Sequence, residues 1–186
     1  MRTVLEAYAQ IYDAHISELY SYCIGLGYPK SVCMDAIHDV FCKLVVDGRE
    51  PGSIVNMKFY LFRSVKNRLL DIRKRSKKVT YDDPVEFGFR AEVTVAEDII
   101  VDREERDRVV AKVRALMDEL TDAQREAVYL RYIQEMGYEE IAGLLNITPE
   151  SVRKLVYRAL EKMRQQKIGV AGFIIMMHLL KNSLHS

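Results

Sequence analysis

Apolar side chains recur every three to four residues along most of the 186-residue chain, and strand-like alternation is scarce. The few Gly and Pro breakers fall between the periodic stretches, a pattern that predicts an all-α protein. A first helix is expected over about residues 4–26, closed at GLGYPK by Gly27 and Pro29, with the next starting near Ser31. The second covers 32–46, where Val32, Ala36, Val40 and Leu44 stand four apart, and DGREPGS ends it. The third occupies MKFYLFRSVKNRLLDIRKRSKK, residues 57–78. At about 100° per residue, Leu61, Phe62, Val65, Leu69 and Ile72 fall within one arc of roughly 100°. Arg63, Lys66, Arg73, Lys74 and Lys77 fall within the next arc, so this helix is amphipathic with a basic face.

Residues 79–107 lose the periodicity, contain Pro84 and read as a linker whose tail turns helical from about Ala96. That helix continues with a face of Val109, Val113, Leu116 and Leu120. Thr121 is the expected N-cap of the next helix, which carries Ala127, Val128 and Leu130. A short helix over 138–145, a tight turn at NIT and a longer helix from Pro149 follow, with Thr148 as N-cap. With Ala142 at the close approach and Ile147 plugging the turn, this is the pattern of a helix-turn-helix. In its second helix Val152, Leu155, Val156, Ala159, Leu160 and Met163 form the inner face. Arg153, Lys154, Tyr157 and Arg158 form the outer face, with donors suited to phosphates and base edges. A three-helix packing module without DNA would share the spacing, and the basic bias near the helix start favours the DNA reading.

Charge sharpens this division. The formal net charge is only +1, but residues 57–78 hold nine Lys or Arg against one Asp, while 79–107 hold ten acidic against three basic residues. An ordinary outer helix face mixes both signs, so a positive block this clean points to a polyanion partner. Tyr60 and Asn67 lie on the flank of the basic arc, where a ring and an amide could stack on or hydrogen-bond an unpaired base. A surface aromatic and a polar filler fit these two positions equally well. The negative block is read as a solvated or self-masking segment.

Cys23, Cys33 and Cys42 are an odd number in an apolar half, which argues against a disulfide framework and for buried thiols in a reducing compartment. His38 and Cys42 share a helical face near Cys33, but no CxxC or second His pair completes a metal site, and packing is the stronger reading. The N-terminus lacks the long apolar core and cleavage site of an export signal. The apolar run Ile168 to Leu180, at thirteen residues, is short of the roughly twenty that span a bilayer. It is expected to be buried across the domains or against a partner. His15, His38, His178 and His185 have no partner motif, so an enzyme is the weakest class.

A basic helix, an acidic linker and a C-terminal helix-turn-helix together resemble a bacterial sigma factor of the extracytoplasmic-function type, in the sigma-70 family, over about residues 5–166. DAIHDVFCKL resembles the family's helix that docks on core RNA polymerase, with Asp35, Asp39, Val40, Phe41 and Leu44 in matching order. FYLFRSVKNRLLDIRKR is similar to the segment that melts and reads the minus-ten element. GYEEIAGLLNITPESVRKLVYRALEKMR resembles the helix-turn-helix that reads the minus-thirty-five element. The chain departs from the family's pattern at Tyr60, where Trp is common, and at Asn146, where Gly is common. Lys154 replaces a small hydroxyl residue, and Gly137 must cap a helix without a hydroxyl.

The resemblance implies two small helical domains joined by an acidic linker. Residues 1–78 correspond to sigma region 2, 79–107 to the linker, and 108–167 to the region 4 helix-turn-helix, followed by an apolar tail over 168–186. It implies a non-enzymatic initiation factor of the cytoplasm with core RNA polymerase and promoter DNA as partners. An anti-sigma partner is a further candidate, and neither cofactor, small-molecule substrate nor membrane insertion is expected. Minus-ten contacts fall on Tyr60, Arg63, Lys66, Asn67, Arg73 and Lys74, and duplex contacts on Ser151, Arg153, Lys154, Tyr157 and Arg158. The alternative is a helix-turn-helix regulator that dimerises on duplex DNA without polymerase.

Overall fold

The computed structural model describes residues 2–77, 115 and 119–165, and every regular element among them is helical. The linker over 79–107, the face of Val109, Val113 and Leu116, and the tail over 168–186 lie outside the described residues. The chain divides into two compact units, Met1–Phe87 and Gly88–Ser186.

The first unit contains α1 (Arg2–Gly25), α2 (Lys30–Val46), a 3-10 turn (Pro51–Ser53) and α3 (Met57–Lys77). Gly27, at φ +86°, adopts the left-handed conformation that ends α1, and Leu26 N–H still donates to the Tyr22 carbonyl at 3.0 Å. Pro29 then caps α2, which starts at Lys30. On α3 the first turn is closed by Asn56, whose Oδ1 accepts from Phe59 N–H at 3.0 Å.

Each of these helices touches the other two, and α2 buries Cys33, Ala36, Ile37, Val40, Phe41 and Leu44. That i, i+3, i+4 stripe is wider than the four-residue row expected, because α2 must cover both α1 and α3. Val32 is only half-buried. On α3 Leu61, Phe62, Val65 and Leu69 are fully buried, with Ile72 half-buried at the end of the stripe. The Tyr22 and Phe62 rings meet at 5.0 Å in the middle of this core.

Cys23 and Cys33 are buried as expected, but Cys42 is exposed. The stripe through Ala36, Ile37, Val40, Phe41 and Leu44 leaves position 42 on the outer side of α2. Tyr28 bridges the two buried cysteines, its N–H donating to the Cys23 carbonyl at 3.3 Å and its own carbonyl accepting from the Cys33 thiol at 3.4 Å.

One ion pair ties α1 to α3. Burial alone would push the Glu18 carboxyl up, but His15, whose Nδ1 lies 3.6 Å away, and the Lys58 ammonium at 3.1 Å outweigh it and hold the pKa at about 2. The His15 distance is that of an ion pair rather than a hydrogen bond. A depressed carboxylate contributes stability that is present above its unfolded value near 4.5 and is lost as the pH falls toward 2. With the side chain only 13% exposed, the difference corresponds to roughly 3 kcal/mol. Acid unfolding followed by circular dichroism should therefore show Glu18→Gln converging on the wild type between pH 4.5 and 2, with a clear deficit at pH 7.

The second unit contains α4 (Asp122–Tyr132), α5 (Tyr138–Leu145) and α6 (Pro149–Gln165). Thr121 caps α4 in a full capping box, accepting from Gln124 N–H at 3.3 Å while Gln124 Oε1 accepts from Thr121 N–H at 3.0 Å. Gly137 caps α5 without a side chain, and Glu140 compensates by accepting the Gly137 N–H at 2.6 Å. Ala127, Val128, Leu130, Ile141, Val152 and Ala159 lie at the centre of the three helices with no more than a trace of exposure. Leu120 and Met163 are buried as well, whereas Leu155 and Leu160 are half-buried at the edges of the expected inner face.

Ile147 does not plug the turn: it is 38% exposed. The backbone closes the turn instead, with Asn146 left-handed at φ 54°, ψ 43° and Ile147 N–H donating to the Ala142 carbonyl at 3.2 Å. A side chain at the position after such a cap is free to turn outward, while Ala142 stays buried at the helix contact as expected.

Candidate nucleic-acid interface

The third helix presents three arcs. The apolar arc faces inward. The basic arc carries Arg63 and Lys74, both exposed, with Lys66 and Arg73 half-buried. Arg73 hydrogen-bonds the Tyr28 hydroxyl; burial pushes that phenol up and the guanidinium opposes the rise. The third arc carries Tyr60, Ser64, Asn67, Arg68 and Asp71. Together with Asp39, Val40 and Lys43 of α2 it lines an open groove of about 490 Å³.

Tyr60 and Asn67, expected on the flank of the basic arc, thus belong to a groove between α2 and α3. Both hydrogen-bond donors and acceptors line it, and its volume lies in the range that holds a small planar ligand. Tyr60 is half-buried, with the Arg49 guanidinium 5.8 Å from its ring centre. The loop bearing Arg49 is anchored to α1 by the Tyr8 hydroxyl, which donates to the Arg49 carbonyl at 2.8 Å. Arg68, Ser64, Asp71 and Lys43 were not among the expected site residues. The signal for the α3 members was present, since positions 60, 64, 67, 68 and 71 share one arc at about 100° per residue.

Of the five residues the resemblance assigns to polymerase contact, only Asp35 and Asp39 are exposed. Val40, Phe41 and Leu44 are 8%, 7% and 2% exposed, and their apolar surface is spent on the core of the unit. Phe41 and Tyr12 meet in a T-shaped arrangement at 5.1 Å, and Phe41 lines a shallow apolar groove of about 330 Å³ with Leu5, Val45 and Val46. Asp39 is itself engaged, because Oδ2 accepts from both Nε of Arg68, at 2.7 Å, and Nη2.

In the second unit, Arg153, Lys154, Tyr157 and Arg158 all project outward from α6. Their partners differ. The Arg153 guanidinium lies 5.1 Å from the Tyr138 ring centre and 3.5 Å from Glu139, while Arg131 holds the same ring at 4.8 Å. Lys154 pairs with Glu150 at 2.8 Å. Ser151 is half-buried, its hydroxyl 2.9 Å from the Thr148 hydroxyl, so it supports the helix start. Thr148 Oγ1 accepts from Ser151 N–H at 3.2 Å. Thr148→Ala should cost about 1 kcal/mol, read as a lower urea midpoint for the second unit with an unchanged slope.

A short helix and a basic longer helix joined by a left-handed Asn turn, following a separate three-helix unit, define a DNA-binding protein of the helix-turn-helix class. The Sigma-70, region 4 family matches residues 111–163, a span that contains the whole turn. The ECF RNA polymerase sigma factor SigM of Bacillus subtilis (strain 168) is 22% identical over 156 residues, 83% of this chain and 91% of its own. The ECF RNA polymerase sigma factor SigW of the same organism is 27% identical over 169 residues, covering 87% and 89%. CnrH, solved in complex with the cytosolic domain of CnrY, shares the fold with a TM-score of 0.52 at 21% identity, over 87% of this chain and 88% of that one. Residues 111–163 thus match the Sigma-70, region 4 family, and over most of its length the chain is similar to sigma factors of the extracytoplasmic-function group. The sigma factor family is non-enzymatic. Among the described residues no helix is long and apolar enough to cross a membrane.

Proposed function

We propose that this chain is a sigma factor that binds core RNA polymerase in the cytoplasm and directs it to specific promoters through two DNA surfaces of different kinds. Residues 1–78 serve as the region 2-like domain and 108–167 as the region 4-like domain, with 79–107 as the linker between them. The observation that carries this reading is the groove between α2 and α3, where Tyr60 and Asn67 stand beside a basic helix face. A groove of this size, with a ring, an amide and a hydroxyl in its wall, suits a base already extruded from the stack, which pure phosphate binding would not require. Arg63, Lys66, Arg73 and Lys74 then neutralise the strand that carries the base. On α6, Arg153, Lys154, Tyr157 and Arg158 face a major groove, with Ser151 holding the start of the helix.

Asp35 and Asp39 are the proposed polymerase contacts on α2. An inhibitory protein partner is also proposed, by analogy with CnrH, which was solved with the cytosolic domain of CnrY. Linking two modest DNA affinities gains from effective concentration once the polymerase surface fixes the spacing between them.

The test is transcription by core polymerase with the purified chain on a library of promoter fragments. Initiation at specific sites, lost with Asp35→Ala and Asp39→Ala together, is expected. A chain that ignored polymerase and bound palindromic duplex DNA as a dimer would instead be a helix-turn-helix regulator.

A further inference from the structure

We infer that Arg68 is a further single-strand contact of the α2–α3 groove and that Asp39 masks it in the free factor. This rests on the groove reading above and adds to it a residue and a means of control. Arg68 stands in the same wall as Tyr60 and Asn67, one position along the chain from Asn67. Its guanidinium turns across to α2, where Nε and Nη2 both donate to the single oxygen Oδ2 of Asp39. In that pose its charge is neutralised and its donor edge is aimed away from any strand lying along α3.

The pair is not built for permanence. The side chains of Arg68 and Asp39 are 31% and 49% exposed, and ion pairs at such sites are weak and easily exchanged. Both donors converge on one oxygen, rather than forming the parallel two-oxygen fork that makes Arg–carboxylate pairs rigid. Asp39 is also one of the two exposed acids of α2 proposed to meet polymerase. A cationic group on that partner would draw off the Asp39 carboxylate and release Arg68, adding one positive charge to the groove only when the polymerase is in place. The free factor would thereby bind single strands less well than its groove allows, and docking and DNA capture would be coupled through a single exchange of partners.

The test needs no polymerase. Binding of a labelled random single-stranded oligonucleotide of about a dozen nucleotides is measured for the full chain and for Asp39→Asn, Arg68→Ala and the double variant, across a salt series. Asp39→Asn should raise affinity roughly two- to fivefold at low salt and steepen the salt dependence by about 0.7, the increment for one more phosphate contact on a single strand. The same change in the Arg68→Ala background should do almost nothing. Asp35→Asn, which alters the charge equally one helical turn away, should give a smaller gain that is the same with or without Arg68. An equal gain from Asp39→Asn in both backgrounds would mean bulk charge alone and would overturn the masking while leaving the groove reading intact. Failure of all forms to bind would overturn both.

Discussion

Phe62→Ala is expected to destabilise the first unit by about 3–5 kcal/mol, the cost of removing a fully buried aromatic ring and leaving a cavity. Phe62 has no exposed surface, lies in the second turn of α3 and meets Tyr22 of α1 at 5.0 Å, so the substitution empties the contact between these two helices. A unit of about this length holds roughly 4–11 kcal/mol in total, and the substitution removes a large part of that. Urea unfolding read by Tyr fluorescence and backbone circular dichroism should show the transition of the first unit moving to much lower denaturant. Hydrogen exchange at Val128 and Val156, in the core of the second unit, should be unchanged, because the two units have separate cores. Phe62→Leu, which retains most of the volume, should cost less than about 1.5 kcal/mol. Equally large losses from the two variants would mean that the ring contact with Tyr22, rather than the filled volume, holds this part of the core.

Arg158→Ala is expected to weaken the factor's grip on duplex promoter DNA by about 1–3 kcal/mol, a factor of roughly 5–150. Among the described residues Arg158 has no side-chain partner, so under the proposed reading its donors are available to DNA with no internal bond to break. Arg153 and Lys154 differ. Arg153 is held by the Tyr138 ring and by Glu139, and Lys154 by Glu150, so part of what their removal changes is internal to the protein. The exposed Lys154–Glu150 pair is worth little, and Lys154→Ala should mainly reduce the salt slope by about 0.9 for one lost phosphate contact. Anisotropy titrations of holoenzyme on a selected promoter, over a range of salt, separate the two cases. If Arg158→Ala left affinity and salt slope unchanged, α6 would not enter the groove by this face.

The caps show how far local chemistry reaches. Thr121, Thr148 and Gly137 stand at the helix starts where their sequence context puts them, and Asn146 takes the left-handed turn. Each of these depends on a few consecutive residues and a backbone preference, so a single stretch of chain contains all the information. The apolar arc of α3 was legible for the same reason, because its period is set by helix geometry. The α2 stripe was legible only in part: Cys33, Ala36, Ile37, Val40, Phe41 and Leu44 are spaced for a wide face, but a helix flanked on two sides cannot be told from an amphipathic one until its neighbours are known. That is why Val40, Phe41 and Leu44, matched to a docking helix by resemblance, are found inside the unit.

By itself, then, the sequence determined the all-helical class, the helix boundaries to within a few residues, the turn and its caps, the basic arc of α3 and the opposite charge of the segment that follows. All of these are properties of neighbours in the chain. Tertiary structure alone decided that Tyr60 and Asn67 share a groove with α2, that Asp39 takes Arg68 and Glu18 takes Lys58, and that Ile147 turns outward. Arg68 and Asp39 are 29 positions apart and Lys58 and Glu18 are 40 apart. No periodicity links residues at such separations; what brings them together is the burial of apolar stripes between helices, which sets the angle and register at which their polar edges meet.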